Sequence, residues 1–341
     1  MTPKTILIAA ALHFATIGSA AAEISLTANC HAAPTHVICA RILPAWIKAV
    51  TDATKGRVSI RQLARNMAPP PEQLASVQNG VFDIASSQFN GFIAKQVVGP
   101  AVSLQPFTGS SNARANSVAL WRTWNRFLSS VDEYEGVHLL GLFAAAGADF
   151  YSMTDAPILS IADLKRRMWA LPGVTAGVVT DAGAATVSGP AVQMTEIVQR
   201  GVVDGFVGIP AADILDLNLA RYATSVTRTS RKIFAPSFSF IISDKAWARI
   251  DPADQATIMA VSGEALAEMA GGMWAEIEAK ALAKVETIMK VHVAPPAFEA
   301  ALEATAAPYT DRWIAAAEAR GFDARAALNF YKATVAELAA Q

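Results

Sequence analysis

Cysteine is nearly absent from this sequence: two residues among 341, Cys30 and Cys39. A disulfide-rich scaffold and a multi-cysteine zinc module are both excluded. The pair itself leaves three readings open: a disulfide closing a short loop, two buried thiols, or a metal pair with His31 and His36 nearby. The spacing matches no familiar zinc pattern, and in an oxidising compartment a disulfide would contribute roughly 2–3 kcal/mol. Charge of one sign is also missing. Twenty-eight basic residues face 29 acidic ones, for a net charge of -1. There is no basic surplus for nucleic acid and no acidic tail to suggest disorder. No stretch beyond the N-terminus has 18 consecutive apolar residues, so no membrane-spanning helix is expected in the mature chain. G-x-S-x-G, H-E-x-x-H, the Walker A pattern and a G-x-G-x-x-G after a strand are all missing. Nothing nominates an enzyme, a cofactor or a catalytic residue, and His292, alone in a late strand, reads as structural.

What the sequence does have is apolar mass. Hydrophobic residues make up 53% and mean hydropathy is +0.31, much of it alanine, which suits helices. The N-terminus has the organisation of a secretory signal peptide. Lys4 supplies the charge, Ile6 to Ile17 an apolar run too short to span a bilayer, and Ala20-Ala21-Ala22 a cleavage site. The expected mature chain starts at Glu23 and is exported to the periplasm.

From there the pattern alternates. Glu23 to Ala28 reads as a strand. Val37 to Thr54 has helical spacing, with Ile38, Ile42, Trp46, Ile47 and Val50 near one face, and Lys55-Gly56 ends it. RVSIRQL is a second strand, Glu72 to Asn79 a helix, and VFDIASS a third strand. This is the grammar of an α/β layer with a largely parallel sheet. The middle of the chain repeats it. SFSFIIS (237–243) alternates as a good strand. Asp251-Pro252 opens a helix that runs to about Lys290, with Gly271-Gly272 marking a bend or a close backbone contact. VHVAPP is a last strand, and residues 297–340 are helical.

Five segments in order carry a resemblance. AVTDATKGRVSIRQL (49–63), LASVQNGVFDIASS (74–87), SIADLKRRMWALPG (160–173), TEIVQRGVVDGF (195–206) and AAPYTDRWIAAAEARGFDARA (306–326) resemble the periplasmic solute-binding proteins of the tripartite ATP-independent periplasmic (TRAP) transporters. The resemblance covers essentially the whole mature chain. It implies an α/β fold of two lobes, each a mixed sheet flanked by helices, joined by crossover hinge strands and spanned by one long helix. The implied division is a signal peptide at 1–22, a first lobe at 23–146 with part of 236–250 and the C-terminal region, a second lobe at 147–235, the long helix at 251–290, and a C-terminal strand and helices at 291–341. It further implies hinge closure on a small ligand, no cofactor or metal, a monomer, and delivery to a sodium-coupled membrane permease. A receptor that presents its ligand to a membrane kinase is the alternative use of the same fold.

Most members of the family pair an arginine on the 160–173 strand with a ligand carboxylate, two residues before a proline. Here Pro172 aligns and the arginine position holds Ala170. A second basic position aligns with Asp149. A carboxylate enclosed without a counter-ion meets a desolvation penalty of several kcal/mol. The expected ligand is therefore an amine, a quaternary ammonium or a neutral polyol. The expected site gathers Ala170 and Trp169, Asp149 with Phe150 and Tyr151, Phe89 with Asn90, and Phe206. Aromatic walls with one carboxylate suit amines. The competing expectation is an organic-acid receptor in which Arg166 or Arg167 enters the cleft by a shift of register.

Overall fold

The structure, a computed structural model, describes residues 24–341. The expected signal peptide lies outside the described residues. The chain opens with β1 (Ile24–Asn29), β2 (Val58–Gln62) and β3 (Ile84–Phe89), separated by helical segments as the alternation predicts. The first long helix, Leu43–Ala53, ends where Lys55 and Gly56 turn the chain with φ of 53° and 78°. Positive φ costs glycine nothing, which fits the stop read from the sequence. After β4 (Val137–Ala144) come β5 (Phe150–Ser152), β6 (Arg167–Ala170), β7 (Ala185–Ser188), β8 (Gly205–Val207) and β9 (Ser225–Arg228). β10 (Ser237–Ser243) and β11 (Lys290–Val293) complete the set.

These strands form two sheets. The first has the order β2-β1-β3-β10-β4 and the second β11-β9-β5-β8-β6-β7. β1 pairs in parallel with β2 and β3, while β10 runs antiparallel to β3 and β4. Every residue of β3 and β10 is buried, as expected of central strands with both faces covered. In the second sheet β6 is parallel to β7 and β8, whereas β5 is antiparallel to β8 and β9. Each sheet is thus mixed, and each anchors one lobe.

The chain crosses from the first lobe to the second between β4 and β5 and returns between β9 and β10. The two crossings lie side by side: the Ala145 N–H donates to the Pro236 carbonyl, and the Ala148 N–H to that of Phe234, each at 2.8 Å.

The helix expected from Asp251 to about Lys290 is two helices. Pro252–Ala260 is capped by the Asp251 carboxylate, which accepts from the Ala253 N–H at 2.8 Å. Gly263–Ile288 follows, and the break falls at Val261–Ser262 rather than at Gly271-Gly272. There Ser262 Oγ accepts from the buried Trp46 Nε1 at 3.0 Å. Gly271 has the other role foreseen for it: a Cβ there would lie 2.7 Å from the Arg114 backbone. The glycine lets the Ala113–Thr123 helix press against the long helix. From β11, in the second lobe, the Pro296–Glu318 and Ala324–Ala339 helices lead back to the first, where Trp313 Nε1 donates to the Val98 carbonyl at 3.0 Å.

Candidate ligand-binding site

A cavity of about 370 Å³ opens between the lobes, at the lower end of the range for small-molecule sites. Its wall is built from strand ends. The loop after β1 supplies His31, Ala32, Ala33, His36 and Ile38, and the end of β3 supplies Phe89 and, just beyond, Phe92. Leu171 follows β6. Pro190, Ala191 and Val192 follow β7. Ile209 and then Asp213 and Asp216 follow β8. All five are carboxyl ends of strands in parallel pairs, where open α/β sheets bind ligands. Pro236 and Phe238, at the start of antiparallel β10, close the near side, and Trp274 from the long helix forms the floor.

The wall is mainly aromatic and aliphatic. Phe238 stacks on Trp274 with ring centres 5.8 Å apart and 18° between planes, and on Phe143 at 5.3 Å. Phe92 meets Phe89 edge-on at 5.1 Å. Offset and edge-on geometries are the favoured ones, so the rings hold one another in place.

Polar groups enter at one end. His31 Nδ1 lies 2.9 Å from Ser87 Oγ. Burial, helped by the nearby charge of His36, pushes the His31 pKa down to about 4, so its imidazole is neutral at neutral pH. His36 Nε2 lies 3.0 Å from Asp213 Oδ1, a contact that reaches from the first lobe to the second. Burial of His36 works against its charge. The Asp213 hydrogen bond and charge, with Asp216 behind, outweigh it and hold the pKa above the usual value. The His36 ring also sits edge-on to Trp274 at 5.4 Å. Among the described residues lining the cavity there is no lysine and no arginine.

Of the residues expected from the sequence, Phe89 lines this cavity and the others do not. Asn90 is buried behind it, donating to Ser237 Oγ at 3.0 Å and accepting from Ser239 Oγ at 2.5 Å. Asp149, read from the sequence as a carboxylate in the cleft, is not on this wall. It is 3% exposed and bonded to Lys232 Nζ at 2.5 Å in the crossing between lobes. Phe150 packs on Phe298, and Tyr151 stacks on Phe206 across the β5–β8 pair at 5.1 Å. Trp169 and Ala170 are fully buried, and the Ala170 carbonyl accepts from Ser188 Oγ at 2.8 Å. The second lobe spends these side chains on its own core, and the next residue, Leu171, is the one on the wall.

The shifted-arginine expectation also fails on geometry. Arg166 Nη1 donates to Ser152 Oγ, Thr154 Oγ1 and the Ala156 carbonyl at the surface turn. Arg167 is bidentate to Asp204, with Nε to Oδ2 at 3.0 Å and Nη2 to Oδ1 at 2.5 Å. Neither approaches the cavity. Sequence reasoning missed Phe92, Asp213, Phe238 and Trp274, and it read His31 and His36 only as neighbours of the cysteines. Those cysteines are joined to each other as a disulfide. The rule that ligands sit beyond strand ends could have pointed to His31 and His36.

Comparisons with known proteins agree with this architecture. The profile of DctP, bacterial extracellular solute-binding protein, family 7, matches residues 30–316. A protein of Comamonas testosteroni called outer membrane transporter protein TsaT is 35% identical over 324 residues, 94% of each chain. Among solved structures, a TRAP periplasmic solute-binding protein of Bordetella bronchiseptica with bound (R)- and (S)-mandelate has a TM-score of 0.86 and 28% identity. That match covers 92% of this chain and 99% of the other. A TRAP solute-binding protein of Rhodoferax ferrireducens with copurified benzoate has a TM-score of 0.80 over 92% and 98% of the two chains. At 20% identity it speaks to the fold alone.

Proposed function

This chain belongs to family 7 of the bacterial extracellular solute-binding proteins, the TRAP solute receptors, and on that premise we propose that its ligand carries an aromatic ring. Receptors of this family bind a solute rather than transform it. The observation that supports a ring is the stacked wall of Phe89, Phe92, Phe238 and Trp274 around a cavity of about 370 Å³. Aromatic pairs add about 0.5–1.5 kcal/mol each beyond area burial, and an acyclic polyol or dicarboxylate would leave those faces unused.

The polar end of the ligand faces His31 and the His36–Asp213 pair. With no lysine or arginine on the wall and two carboxylates at that end, we assign a neutral or cationic head group, such as an alcohol or an amine on the ring. A carboxylate there would lack a counter-ion beyond His36, which Asp213 already holds. The mandelate-bound relative favours a second reading, an aromatic carboxylate, with protonated His36 shared between Asp213 and the ligand.

In either reading the protein is exported with loss of residues 1–22 and hands its ligand to the membrane subunits of a TRAP permease. Protein purified from its native periplasm, denatured and extracted, should release an aromatic compound identifiable by mass spectrometry. Release of only acyclic acids or sugars would overturn the proposal.

A further inference from the structure

We propose that the Cys30–Cys39 disulfide is a positioning element of the ligand site: it holds the intervening loop so that His36 reaches Asp213 in the opposite lobe. Five of the residues lining the cavity fall within positions 31–38, between the two sulfurs. No other stretch of similar length contributes as many.

The span has little regular structure of its own. Its backbone bonds are few: the His36 N–H donates to the Ala33 carbonyl at 3.0 Å, closing one turn, and the His36 carbonyl accepts from the N–H groups of Cys39 at 2.9 Å and Ala40 at 2.8 Å. The residues of that turn, Ala33, Pro34 and Thr35, are exposed. Beyond the disulfide, which brings Cα atoms nine positions apart to 5.7 Å, the loop is held mainly through side chains. His31 meets Ser87, His36 meets Asp213, and Gln62 Nε2 donates to the Cys39 carbonyl at 3.0 Å. Two of those three holds are the polar groups of the site. A loop whose recognition groups are also its anchors needs an independent restraint to keep them in place when the lobes part, and the disulfide is that restraint. Restricting a loop before binding lowers the ordering cost that binding would otherwise meet.

The test reads His36 directly and needs no ligand. Its imidazole is faced by Asp213 and Asp216 from the Ala211–Asp216 helix, by Trp274 from the long helix and by His31 from its own stretch, while Arg41 and Lys280 line the adjoining part of the cleft. The full mature chain carrying Cys30→Ala and Cys39→Ala is compared with the wild type by NMR titration of the histidines. The expected result is a His36 pKa that falls toward 6.5 as the Asp213 contact is lost. In parallel, the dissociation constant for benzyl alcohol rises about tenfold. This second readout rests on the aromatic-ligand reading. If benzyl alcohol fails to bind even the wild type, that reading is in trouble while the His36 titration still decides the present one. Should the double variant not fold, two glycines inserted after Pro34, with the disulfide intact, loosen the same span and should move His36 in the same direction. A His36 titration that stays unchanged in these variants, whatever the fall in melting temperature, shows the disulfide to be a structural staple alone and overturns the proposal.

Discussion

Asp149 and Lys232 form a buried ion pair at 2.5 Å that ties the outgoing crossing between the lobes to the returning one. Both side chains are under 10% exposed, and the Asp149 carboxylate also accepts from the Thr229 N–H at 3.3 Å. Removing one partner of such a pair leaves an uncompensated buried charge. Asp149→Ala should therefore cost about 3–5 kcal/mol of stability, seen in denaturant unfolding. Replacing both partners by apolar residues of similar size, Asp149→Leu with Lys232→Met, should recover most of it. Ligand preference should not change, because Asp149 is not on the cavity wall. A single variant as stable as the wild type, or one with altered ligand charge preference, would refute this account of the crossing.

Glu278 makes stability depend on pH. Burial pushes its pKa from the usual 4.5 up to about 7, against the pull of the Ala212 and Ala211 N–H groups it accepts from at 2.8 and 3.0 Å, with Asp213 and Asp149 adding to the rise. The folded chain thus holds this proton more tightly than the unfolded chain. The contribution is fully present below pH 4.5, falls as pH rises toward 7 and is then flat, amounting to about 3 kcal/mol. His31, with its lowered pKa, slopes the other way between pH 6.5 and 4. The readout is therefore the difference between wild type and Glu278→Gln, which cancels that slope. Wild type should lose stability relative to the variant from pH 5 to 7.5, and parallel curves would contradict the assignment.

Phe92 tests the aromatic wall with little risk to the fold, since its side chain is only half-buried. Phe92→Ala should weaken binding of a ring-bearing ligand roughly tenfold, the equivalent of about 1.4 kcal/mol. Its melting temperature should move by only a few degrees. Unchanged affinity in calorimetry would remove Phe92 from the site.

Arg167 supplies the converse test. Its guanidinium is committed to Asp204 and the Gly201 carbonyl at the surface, where an exposed pair is worth at most about 1 kcal/mol. Arg167→Ala should leave ligand affinity within twofold. A large loss of carboxylate binding would restore the shifted-register reading.

The order of strands and helices was legible in the sequence because each element carries its own signal. Alternation marks β10, a left-handed turn at Lys55-Gly56 ends the first long helix, and Asp251-Pro252 starts the one after β10. The break at Ser262 was missed although Gly263, which takes a φ of 53° there, is a local signal for it. The cavity was harder still. It draws short clusters from strand ends and Trp274 from the long helix, scattered between His31 and Trp274, and no local pattern separates Trp274 from an ordinary core position on a helix. Asp149 misled for the same reason: its partner lies 83 residues downstream. Ala170 misled in the same way: its side chain is buried in the core of the second sheet, and the residue that reaches the wall is the next one, Leu171.

The central claim is an aromatic ligand held without an arginine or lysine. The measurement that reaches it most directly is calorimetric titration of the mature chain at pH 7 with benzyl alcohol, benzylamine, mandelate, benzoate, succinate and glycerol. The account predicts heat of binding from the ring compounds, strongest for the neutral and cationic ones, and none from succinate or glycerol. Binding of succinate alone, with every ring compound silent, would contradict it.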